Sequence, residues 1–266
     1  MRRLLAVAAA LVLLAACGSS STNKSSSPTT APASSGATTS TQPLSGSITV
    51  LAASSLTDAF NEEGRQFQAA HPGIAISFSF GASSTLAQQV NAGAPADVLA
   101  TADQDTMNTA VNGGSVGTPA LFAHNRLEIL VAKGNPKKIQ GLSDLSRSGL
   151  VVVMCAVEVP CGKFGQQALT QAGVKVTPAS LEANVKGVVS KVTLGEADAG
   201  IVYVTDVLAA GNQAEGVTIP DAQNVLAAYP IATVKATKNG ALADAFVAYI
   251  RSPAGQQILA KAGFQA

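Results

Sequence analysis

SITVLAASSLTDAF at residues 47–60 and IAISFSFGASSTLAQQ at residues 74–89 are two versions of one pattern. Each opens on a run of apolar and β-branched residues that reads as a strand. Each then passes through Ala-Ser-Ser and continues with helical spacing, carried in the first by Leu56, Phe60 and Phe67. The first helix should stop at His71-Pro72-Gly73 and the second at Gly93. In both, small residues and hydroxyls occupy the point where a strand ends and a helix begins. In an open α/β sheet that point, outside the carboxyl ends of the strands, is where ligands bind. A helix start offers unpaired N–H groups and a partial positive charge, so serines added there suit an anion. Serine is also a common helix cap, so one copy would indicate little. Two copies on adjacent units point to an oxyanion site.

Outward from this stretch the alternation continues. Strands are expected at 97–100, 127–132, 149–154, 200–204 and 231–236. Helices are expected over 104–111, 162–172, 185–194, 240–250 and 254–262. Such alternation argues for an α/β fold with mainly parallel sheets, and the apolar strands read as buried on both faces. Val159-Pro160-Cys161-Gly162 and Asn184-Val185 each open a further helix, and Tyr203 ends a strand with a phenol that can donate one hydrogen bond.

The first 45 residues do not belong to this pattern. Arg2 and Arg3 precede an apolar run of eleven residues, Leu4 to Leu14, too short to span a bilayer. Leu14-Ala15-Ala16-Cys17 resembles a bacterial lipobox, which implies a signal peptide over residues 1–16 and a lipidated Cys17. Residues 18–45 hold ten Ser, six Thr and a single charge, Lys24. They read as a tether between a membrane anchor and the body, with a span of roughly 30 Å. The expected location is outside the cytoplasm, on the cell membrane.

Composition excludes several functions. Aromatic residues are 4% with no Trp, and the net charge is +1, so neither base-stacking platforms nor a basic footprint for nucleic acid is present. Beyond residue 45 the body carries 14 basic and 16 acidic residues. There is no G-x-G-x-x-G and no Walker motif. Gly113-Gly114-Ser115-Val116-Gly117 fits the spacing of a serine-hydrolase elbow, but a helix precedes it where a strand is needed, and no acid lies between it and His124. No enzyme is expected. Cys155 and Cys161 remain for a body that is exported, which favours a disulfide over two buried thiols. Only two histidines exist, His71 and His124, neither near that pair, so zinc is disfavoured.

AASSLTDA (52–59), GASSTLAQQVNAGAPADVLATAD (81–103), VPCG (159–162), GEADAGIVYVTD (195–206) and YPIA (229–232) together resemble the molybdate-binding proteins of bacterial ABC importers. That resemblance implies a two-lobed, type II periplasmic-binding-protein-like α/β fold: two mixed sheets flanked by helices, with a ligand cleft between lobes. Residues 46–128 plus 231–266 would form the first lobe and 129–230 the second, joined near 127–132 and 229–234. Molybdate, and tungstate with it, would be held by neutral donors at Ser55, Ser83, Cys161, Val185 and Tyr203. Ser55 is favoured over Ser54, and Ser83 over Ser84. The resemblance further implies a monomer that delivers its anion to an ABC permease, with no cofactor and no metal beyond the molybdenum of the ligand. Sulfate or thiosulfate is the alternative ligand.

Overall fold

The structure, a computed structural model, describes residues 44–266. The expected signal peptide, Cys17 and nearly all of the Ser/Thr-rich stretch lie outside the described residues. The body begins with β1 (Gly46–Ala53), a single 3-10 turn (Ser54–Leu56) and α1 (Thr57–Ala70). α1 ends before Pro72, and Gly73 takes a φ of +94°, a backbone state that favours glycine. Next come β2 (Ile74–Gly81), α2 (Ser83–Asn91), β3 (Val98–Ala100) and α3 (Gln104–Asn112). β4 (Ala120–Ala132) is followed by β5 (Val152–Cys155), α4 (Pro160–Gln171), β6 (Ser180–Glu182) and α5 (Val185–Thr193). The chain closes with β7 (Ala199–Tyr203), α6 (Val204–Ala210), β8 (Ala214–Thr218), β9 (Leu226–Thr233), α7 (Gly240–Ile250) and α8 (Pro253–Lys261).

The strands follow the order β2-β1-β3-β9-β4-β7-β5-β6, with β8 also paired to β4. The two expected sheets are therefore joined through one strand. β4 pairs with β9 through Ala120–Arg126, and its remainder, from Leu127, lies between β7 and β8. Parallel pairing holds for β1 with β2 and β3, and for β5 with β6 and β7. The expectation of mainly parallel sheets needs correction, because β4 and β9 run antiparallel to all their partners. Burial on both faces is corrected for β2, an edge strand whose residues alternate between half-buried and exposed.

The core beside β1 is aromatic. Phe60 meets Phe246 edge-on at 6.3 Å and Phe67 meets it at 5.4 Å, which binds the C-terminal α7 back onto α1. On the same face of α1 lies Glu63, fully buried. Neither of its carboxyl oxygens has a hydrogen-bond partner among the described residues.

Candidate anion-binding site

Five chain segments that begin a helix converge on one small cavity of about 10 Å³, roughly the room that one water centre needs. Ser54 and Ser55 come from the turn before α1, Ser83 from the start of α2, Cys161 from α4, Val185 from α5, and Tyr203 from the residue before α6. All five residues expected from the sequence, Ser55, Ser83, Cys161, Val185 and Tyr203, line it together. Ser84 does not; it lines a separate groove. The first N–H groups of a helix have no partner within the helix, so converging helix starts surround the cavity with donors and the positive ends of peptide dipoles.

The hydroxyls are arranged to the same end. The Ser83 Oγ accepts the Ala102 N–H at 3.0 Å, which leaves its own proton to donate. The Ser55 Oγ lies 2.9 Å from the Tyr229 hydroxyl. Tyr203 is buried, and its hydroxyl has no hydrogen-bond partner among the described residues. An unpartnered buried hydroxyl is costly unless a ligand satisfies it. Burial, with Tyr229, Asp206 and Asp103 nearby, pushes the Tyr203 phenol well above its ordinary pKa, so it stays a neutral donor.

Two carboxylates stand close behind the site, and each is matched by a lysine. Lys163 of α4 reaches Asp103 at 3.4 Å and also pairs with Asp105. Lys186 of α5 reaches Asp58 at 2.9 Å and the buried Asp206 at 3.5 Å. Burial raises the Asp206 carboxyl to about 6, against the opposing pull of Lys186 and of the Tyr203 N–H. The charges next to the cavity are therefore compensated, and the surfaces facing it are neutral donors.

Cys155 and Cys161 are disulfide-bonded with Cα atoms 5.8 Å apart. The bond ties the end of β5 to the first turn of α4. Gly162 is required beside it, because a Cβ there would lie 1.9 Å from the Ala156 carbonyl oxygen. The Gly113–Gly117 stretch is a turn after α3: Ser115 N–H bonds the Ala110 carbonyl at 3.1 Å, and Gly114 has φ +73°. No strand leads into that serine, so it is not a nucleophile elbow.

The sequence reading missed Tyr229 and Asn184. YPIA placed Tyr229 within the resemblance, but nothing local shows that a phenol on β9 will meet Ser55, 174 residues away. Asn184 was read as a helix opening. Its side chain accepts the Gly187 N–H at 3.3 Å, and it also lines the cavity.

Comparison with known proteins agrees with this geometry. The family described as bacterial extracellular solute-binding protein matches residues 48–265. A protein of Mycobacterium tuberculosis named molybdate-binding protein ModA is 44% identical over 219 residues, covering 82% of this chain and 84% of that one. The Azotobacter vinelandii periplasmic molybdate-binding protein superposes with a TM-score of 0.73 at 23% identity, covering 82% of this chain and 99% of that one. The M. tuberculosis sulfate-binding protein SubI gives 0.74 at 22% identity, with 82% and 86% covered. Proteins of this kind bind solutes rather than catalyse reactions. With five helix starts meeting at one donor-lined cavity and a family match across nearly the whole described body, the chain belongs to the bacterial extracellular solute-binding proteins.

Proposed function

We propose that the body binds molybdate, and tungstate with it, as the extracytoplasmic receptor of an ABC importer. The single observation that carries this reading is the buried, unpartnered Tyr203 hydroxyl facing a cavity formed by helix starts. A tetrahedral dianion supplies the acceptors that these donors lack, and fully made hydrogen bonds replace the water it loses. The relatives named as molybdate-binding support the choice of anion. In this reading residues 46–128 with 231–266 form one lobe and residues 129–230 the other, and they close on the anion about the crossings near 127–132 and 229–234. Cys17 and residues 18–45 would tether a monomeric receptor to the membrane beside its permease.

Calorimetric titration of residues 46–266 with molybdate, in excess sulfate, tests this. One-to-one heat that sulfate leaves unchanged is expected; no heat, or heat that sulfate abolishes, would overturn the molybdate assignment. Ser83→Ala and Tyr203→Phe should each weaken binding ten- to a hundredfold, since a hydrogen bond to a charged group contributes roughly 1.5–3 kcal/mol.

The disulfide restrains the loop that presents Cys161. Reduction should destabilise the body by about 2 kcal/mol and weaken molybdate binding severalfold, because the Cys161 N–H is no longer preorganised. Titration before and after reduction measures this, and identical affinities would remove the preorganising role.

A further inference from the structure

We propose that Asn224 is a positioning residue of the anion site: its side-chain amide stands in for a missing strand at Leu127 and so fixes the residue beside which Tyr203 packs. This rests on the reading of the cavity as an oxyanion site. Asn224 lies in the loop between β8 and β9 and does not line the cavity.

β4 changes neighbours at Leu127. On one side its Arg126 pairs with Leu226 of β9, and its Glu128 pairs with Thr218 of β8. Neither strand supplies a residue opposite Leu127 between them. Leu127 is buried, so an open N–H and C=O there would lack water as well as a strand. Asn224 fills the gap. Its Oδ1 accepts the Leu127 N–H and its Nδ2 donates to the Leu127 carbonyl, both at 2.9 Å. Oδ1 also accepts the Val225 N–H at 2.8 Å, and the second Nδ2 proton goes to the Ile219 carbonyl at 3.1 Å. An asparagine amide accepts two hydrogen bonds and donates two, so its capacity is used in full. The side chain of Arg126 also ties the loop to β4, but its partner is the exposed Asp221, and such a pair contributes little.

The other edge of Leu127 faces the anion site. Leu127 pairs with Tyr203, and this is the last rung between β4 and β7. In an antiparallel ladder a residue turns its N–H and C=O to the same side. Those of Leu127 turn to Asn224, so toward β7 it forms the kind of pair whose side chains come closest. Both side chains are buried. Tyr203 thus rests beside a leucine whose backbone is held from behind by one amide. After Tyr203 the chain turns into α6, so no later rung corrects a displacement. Hydrogen bonds weaken steeply as alignment is lost, so a shift of Leu127 is felt at the Tyr203 hydroxyl.

The test is a double-mutant cycle, read by calorimetric titration of the whole chain with molybdate. Asn224→Ala should weaken binding roughly tenfold when Tyr203 is present and less than about twofold in Tyr203→Phe. Tyr203→Phe keeps the ring and removes only the hydroxyl that Asn224 aligns. A merely structural role lowers affinity by the same factor in both backgrounds. That outcome, or unchanged affinity in Asn224→Ala, would overturn the proposal. Should Asn224→Ala not fold, Asn224→Asp keeps the shape and the two accepted hydrogen bonds while removing both donors, and the same dependence on Tyr203 is expected. Wild-type protein that binds no molybdate would overturn the reading of the site and this inference with it, a result distinct from tight binding with equal losses in the two backgrounds.

Discussion

Glu63→Gln should unfold at markedly higher urea concentration than the wild type at pH 7, by about 3 kcal/mol. Glu63 is fully buried, neither carboxyl oxygen has a partner among the described residues, and burial, aided by the neighbouring Glu62, pushes its carboxyl up to about 9. At pH 7 folding must therefore protonate a group that is ionised in the unfolded chain. The sign follows directly. Because the folded pKa is raised, Glu63 lowers stability progressively as pH rises from about 4.5 to about 9 and costs nothing extra below that window. Glutamine has a similar shape and stays neutral throughout, so the variant should lose this part of the pH dependence. For a body of this size the gain corresponds to a midpoint increase of roughly 6–12 °C. Urea titrations at pH 5 and pH 8 decide the matter: the two proteins should differ little at pH 5 and widely at pH 8. An equal difference at both values would show that ionisation of Glu63 is not the cause.

Lys186→Met should weaken molybdate binding at least tenfold at pH 7.5. Lys186 is the cation that compensates the buried Asp206, and Asp206 lies beside Tyr203, whose N–H it accepts at 3.2 Å. Removing the lysine leaves a carboxylate close to the place where a dianion must be held, and an uncompensated buried charge is strongly unfavourable. It also removes the contact with Asp58, which joins α5 to α1 across the cavity. Adding Asp206→Asn should recover most of the affinity, because the repulsion then disappears. The loss should also shrink as pH falls, starting above 6, because Lys186 holds the Asp206 carboxyl down to about 6 and without it burial makes that carboxyl take up its proton at a higher pH. Equal affinity in wild type and Lys186→Met would show that Asp206 is not felt at the site.

Most of the site was legible because its parts are local. A strand end, a small residue, a hydroxyl and a helix start occupy consecutive positions, so Ser55, Ser83, Cys161 and Val185 could each be assigned from a few neighbours. Tyr203 was legible as the end of the apolar run Gly200–Val202. What was not legible depends on distant pairing. Residues 120–126 include His124, Asn125 and Arg126 and do not read as a strand, yet β9 captures them as the first half of β4. The short β6 and β8 carry Ser180, Glu182 and Glu215 on exposed edges and give no periodic signal. Nor could charge compensation be read: Lys163 and Asp103 are 60 residues apart, and only the fold brings them together.

The shared strand also governs the order in which the chain can be completed during synthesis. β1, β2 and β3 emerge first, but the neighbour of β3 is β9, more than 120 residues later, and the same β9 joins them to β4. Until residue 233 has been made, the first three strands have no connection to the rest of the sheet, and the edge of β3 stays open. Pairings that span such a distance form late. The segment from β4 to β8 already holds its own pairings by then. Ser55 and Ser83 would thus wait on a growing chain for the strand that holds their half of the site against the other, and the receptor would acquire its anion site only near the end of its own translation.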